Sequence, residues 1–190
     1  MLLVENNRLL SSPILEYDND AETKAEIYFI DADSKVAFKN LVFDRKGSQN
    51  IVSLLQISKC YNPIISNITV DSDNKNNLTG EMGIISITES YNPYLEDITI
   101  SNTHGDAVGS GLYSYSILLL FVSNVVIKRL TAASAWHTFG CRGINGITVY
   151  DSNIDGFDNH VYSCNFKFEN CNFHTYFIED PELGYTIFNN

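Results

Sequence analysis

A chain of 190 residues suits one domain with a buried core. Its formal net charge of −11 offers no basic face, which argues against nucleic acid or an anionic membrane surface as partner. With 11 Tyr and 11 Phe, much Ile, Val and Asn, and sparse Ala, Lys and Arg, the composition favours strands over long helices.

The first ten residues, MLLVENNRLL, turn polar too early for a secretory signal. The first strand-like run is 27–30, and it is followed by a frame of apolar or small residues at offsets 0, +2, +5 and +7: Val36, Phe38, Leu41 and Phe43. The frame returns as Pro63, Ile65, Ile68, Val70 and then Pro93, Leu95, Ile98, Ile100. Val125, Ile127, Leu130, Ala132 and Ile147, Val149, Ser152, Ile154 continue it, and Phe166, Phe168, Cys171, Phe173 close it. The spacings are 27, 30, 32, 22 and 19 residues. Offsets 0 and +2 share one side of a strand, and the step to +5 breaks that alternation, which requires a bend before +5 and +7 face inward again. A further apolar run precedes later copies, at 54–57, 84–87 and 117–120.

Three short strands repeating every twenty to thirty residues or so predict an all-β parallel β-helix. An antiparallel sandwich is the main competitor, but it does not predict one offset frame with length variation confined to one loop. Those loops fall near 16–26, 71–82, 101–114, 133–137 and 155–158, and stacked along one edge they would wall a groove for an extended polymer. One domain spanning 1–190 is expected, complete in itself or part of a longer chain.

Several local patterns read as structure. Asp71-Ser-Asp73-Asn-Lys75 has a lysine at a calcium-loop ligand position and lacks the central glycine, so it reads as a turn. The sequon at Asn67 belongs to the repeat, and Asn77 starts a second one. Tyr61-Asn62-Pro63 and Tyr91-Asn92-Pro93 read as equivalent stacked turns. Cys60, Cys141, Cys164 and Cys171 form no CxxC pair and read as buried thiols, so neither a metal nor a cofactor is expected. The apolar run 117–122 is too short to cross a bilayer.

Polar chemistry concentrates late: Trp136, His137, Arg142, Asp155, Asp158, His160 and Tyr162. Counting back from the frame points Asp158 and His160 inward, where a dry core rejects them unless they are paired. Two readings follow. A local register shift turns Asp158, His160 and Tyr162 outward beside Arg142, the favoured alternative, or the two form a buried structural pair. As a site, hydrolysis of a glycoside needs two carboxylates, from Asp155 and Asp158 with Glu89 or Asp106 from neighbouring levels. A β-elimination on a uronate needs a base, His137 or His160, and a cation such as Arg142. Trp136 and the tyrosines offer flat faces to sugar rings.

The stretches His137-Thr-Phe-Gly-Cys-Arg142-Gly143, Ile147-Thr-Val-Tyr-Asp-Ser-Asn-Ile154, Phe157-Asp158-Asn-His160 and Phe168-Glu-Asn-Cys171-Asn-Phe173 resemble phage tailspike and neck-appendage proteins. That resemblance implies a pectate-lyase-like right-handed parallel β-helix, here of about six or seven rungs. It also implies a protein of the virion, or of the extracellular space, often a trimer, that binds a host cell-surface polysaccharide and in many members depolymerises it. Asp158 and His160 are its first-ranked site residues, with His137 and Arg142 next. The rival readings are a non-catalytic adhesive segment and a secreted lyase or hydrolase unrelated to phage.

Overall fold

A computed structural model describes residues 4–5, 8–9, 14–16, 26–28, 36–45, 53–72, 82–101, 114–132, 137–160, 163–174 and 186–189. Among them there is no helix. Short strands Val4–Glu5 (β1), Arg8–Leu9 (β2), Ile14–Glu16 (β3) and Glu26–Tyr28 (β4) come first. The regular part runs Ala37–Arg45 (β5), Leu55–Ser58 (β6), Ile64–Ser72 (β7), Met82–Thr88 (β8), Tyr94–Ser101 (β9), Ser114–Leu120 (β10) and Ser123–Ala132 (β11). It continues with His137–Arg142 (β12), Asn145–Tyr150 (β13), Asn153–Ile154 (β14), Phe157–Asn159 (β15), Cys164–Glu169 (β16), Asn172–Phe173 (β17) and Thr186–Asn189 (β18).

The strands form two sheets, and the chain alternates between them. The smaller sheet is ordered β15-β12-β10-β8-β6-β4, and the main path of the larger is β1-β2-β5-β7-β9-β11-β13-β16-β18. Among the described residues only β1 and β2 pair antiparallel, and every other paired strand is parallel. An antiparallel sandwich is thereby ruled out, and the pairing is compatible with a β-helical solenoid.

The repeat frame is the register of the larger sheet. Phe38 pairs with Ile65, Ile65 with Leu95, Leu95 with Ile127, Ile127 with Val149 and Val149 with Phe168. Every frame residue is buried except Phe173, which is partly buried against the same core. Each such Ile, Leu or Phe contributes about 1.5–3 kcal/mol by leaving water.

The bend between +2 and +5 has a single backbone cause. The residue at offset +4 is left-handed at every level: Asn40, Asn67, Asp97, Arg129, Asp151 and Asn170, with φ of 59°, 54°, 56°, 52°, 49° and 52°. Asn and Asp tolerate this region better than other side-chain-bearing residues, which explains part of the chain's asparagine content. Arg129 is the exception, and it is tied to Asp97 (2.6 Å) and Glu96 (2.7 Å) one level below.

Asn67→Ala is therefore expected to lower unfolding free energy by about 1–2 kcal/mol through backbone strain, beyond loss of its 2.7 Å bond to Asn40. Asn67→Gly, which loses the same bond without the strain, is expected to cost less than half as much in urea denaturation. Equal costs would dismiss the left-handed constraint.

Candidate functional site

The smaller sheet has a second departure from alternation. Leu54 and Leu55 both reach the core, as do Ile84 and Ile85. A bend there puts Tyr115, Leu118 and Gly140 on one outer side while Ile117, Leu119, Phe139 and Cys141 face the core. Gly140 makes room on that side: a Cβ would lie 2.6 Å from the Tyr115 ring.

On β15, Phe157 pairs with Phe139, Asp158 with Gly140 and Asn159 with Cys141. The inward residues are thus Phe157 and Asn159, and the outer positions go to Asp158 and His160. Counting back from the frame fails here because this corner is one residue longer. Cys141 and Asn145 are four apart, whereas their partners Asn159 and Cys164 are five apart.

Asp158 faces outward and yet is buried, at 5 % exposure. Its Oδ2 accepts the Tyr115 hydroxyl at 2.5 Å and lies 3.1 Å from His160 Nε2. The His160 side chain is 34 % exposed. Its backbone is fixed on both sides: the N–H donates to the Cys141 carbonyl (2.8 Å) and the carbonyl accepts Ser163 Oγ (3.3 Å). Arg142, half-buried, follows Cys141 on the adjacent strand and so stands next to His160 on the outer face. Among the described residues no ion pair joins it to Asp158.

His137 begins β12, and burial lowers its pKa from the ordinary 6.5, against an opposing pull from the Asp158 carboxylate. The Cys141 thiol is pushed well up by burial and then by Asp158, so it stays protonated and unreactive. Asp155 is half-buried before β15, where its N–H donates to Thr138 Oγ1 (2.8 Å). Ser116 Oγ is buried without a hydrogen-bond partner among the described residues.

The fold thus joins Asp158 to His160, sets Arg142 at the register position beside His160, and leaves His137 at the opposite end of β12, where it still feels the Asp158 charge, with Asp155 at the edge. Glu89 stands apart at an exposed corner beside Lys59 (3.5 Å), three strands away, roughly 14 Å at ~4.8 Å per strand. Trp136, Tyr162 and Asp106 lie outside the described residues, as do the Asp73–Lys75 turn, the sequon at Asn77 and most of the loop segments. Tyr115 belongs to no local motif, being 43 residues from Asp158. Its one sequence signal is a glycine inside a neighbouring strand, Gly140, which marks close approach.

His137 also makes stability depend on pH. Its folded pKa lies below 6.5, so the unfolded chain binds the proton more tightly. The stabilisation is present above about 6.5 and is lost as pH falls through the lower folded value. In melting curves across that window, His137→Gln is expected to flatten the acid-side slope; an unchanged slope would assign it to other groups. Comparison with known proteins finds no matching family model, no similar curated protein and no similar solved structure.

Proposed function

We propose that this chain is a right-handed parallel β-helix of about six or seven rungs, of phage tailspike or tail-fibre type. On this reading it acts as a homotrimer on the virion, or outside the cell, where it binds a cell-surface polysaccharide and cleaves it. The supporting observation is the partly exposed imidazole of His160, backed by buried Asp158 and standing beside the Arg142 position on one outer face.

That grouping suits β-elimination on a uronate better than hydrolysis. Hydrolysis needs two available carboxylates, and Asp158 Oδ2 is already engaged by two partners. In elimination, His160 takes the proton at C5 while Arg142 neutralises the sugar carboxylate. The electron pair forms the C4–C5 double bond and expels the glycosidic oxygen, which takes a proton from water. His137 stands at the other end of β12 from Arg142, and burial favours its neutral form. A positioned acid or base contributes roughly 10²–10⁴-fold.

One observation favours the rival reading, an adhesive β-helical segment without catalysis: Asp158 is nearly inaccessible and bonded as a structural group would be.

Incubation with acidic capsular polysaccharides and exopolysaccharides separates the readings, following ultraviolet absorbance of the unsaturated product alongside reducing ends. The expected result is an absorbing product whose formation falls at least about 100-fold in His160→Ala, with melting unchanged. Arg142→Ala is expected to slow the same reaction. Reducing ends without absorbance would replace elimination by hydrolysis, and retention of the glycan without cleavage would leave the adhesive reading.

A further inference from the structure

We infer that His160 is held as its Nε2–H tautomer, so that Nδ1 is the atom that takes up a proton, and that Tyr115 is the positioning residue for this arrangement. The inference rests on the proposal that His160 is the base, but its geometry stands on its own.

A carboxylate has no hydrogen to donate, so both partners of an ionised Asp158 Oδ2 must be donors. The Tyr115 hydroxyl is one, at 2.5 Å. His160 Nε2 is the other, at 3.1 Å, and must therefore carry its hydrogen. Neutral imidazole has only one N–H, which leaves the lone pair on Nδ1. Nδ1 has no hydrogen-bond partner among the described residues, and the side chain is 34 % exposed, so this lone pair is the ring's free acceptor.

Tyr115 gives the arrangement its rigidity. It is buried at 3 % exposure, and its ring fills the space beside Gly140 where a side chain would stand. The hydroxyl is thus fixed relative to β12, and it sets the Asp158 carboxylate that in turn orients the imidazole. When the substrate's C–H bond breaks, the proton goes to Nδ1 and the bond's electron pair stays with the sugar to expel the leaving oxygen. The imidazolium formed keeps its Nε2–H on Asp158, where the negative charge stabilises it.

Nuclear magnetic resonance of ¹⁵N-labelled protein tests this without any substrate. In the neutral ring of His160, Nε2 is expected to carry the proton, with a low-field N–H signal sheltered from solvent exchange, and Nδ1 to give the shift of an unprotonated nitrogen. An Nδ1–H ring, or averaging of both forms, would overturn the assignment. Tyr115→Phe, which keeps the ring beside Gly140, is expected to lose the sheltered signal and move both nitrogens toward averaged shifts. An unchanged spectrum would remove Tyr115 from the positioning role. Asp158→Asn, close in shape, supplies a second variant if the first does not fold, and persistence of the wild-type signature there would sink the link to Asp158. Failure to cleave any polysaccharide, with the tautomer as expected, would overturn the catalytic proposal and leave this inference standing.

Discussion

Parallel in-register pairing governs this molecule, because it places the same offset of each level in one column, ~4.8 Å from the next. A residue must then suit the column as well as its own strand. Apolar columns become the core. A column of like charges would repel, and at two exposed corners opposite charges meet instead: Lys59 lies beside Glu89, and Arg129 binds Asp97 and Glu96. Amides are self-complementary and need no alternation, so Asn67 binds Asn40 and Asn172 binds Asn153 in the same columns. Aromatic rings behave likewise. Tyr61 and Tyr91 stack with centroids 5.5 Å apart, and Lys128 sits 5.6 Å from both the Tyr94 and Tyr150 rings.

The same columns explain the polar atoms inside the core. At the corners the chain leaves strand geometry, and backbone N–H groups point inward with no strand partner. Hydroxyls meet this need. Ser90 Oγ accepts the Cys60 N–H and donates to the Thr88 carbonyl. Ser152 does the same between Leu130 and Tyr150. Cys60 occupies the Ser90 column and Cys171 the Ser152 column, and their thiols donate to the carbonyls of Ser58 and Glu169. Burial raises both thiol pKa values, which keeps the S–H donors in place. The cysteines are thus weaker hydroxyl substitutes within a structural column.

The core was legible in the sequence because a stacked column repeats its chemistry at fixed offsets. Val36, Phe38, Leu41 and Phe43 announce the frame that five later levels repeat. The bend was legible only as a break between +2 and +5; its left-handed residue shows as Asn or Asp everywhere except Arg129, where long-range ion pairs override local preference. Fixed counting misplaced Asp158 and His160 by one position, since it assumes that every corner has the same length. Tyr115 left no local pattern, because its role depends on a glycine and a carboxylate from two other levels.

The extra residue in the last corner is what turns a repeated structural device into a distinctive one. In the Ser90 corner the hydroxyl reaches back two residues, to Thr88. In the longer corner Ser163 fills the same column and still accepts the Ile144 N–H, but it reaches back three residues, to His160. The stretch therefore closes without losing its cap, and His160 is left with a backbone fixed at both its N–H and its carbonyl. Its ring projects from a rigid point, and two side chains hold it from behind: Asp158 directly and Tyr115 through Asp158. Freezing a side chain's orientation before a ligand arrives lowers the entropic cost of using it. One inserted residue thus preserves the core by bringing Phe157 under Phe139, and it frees Asp158 and His160 for the outer face.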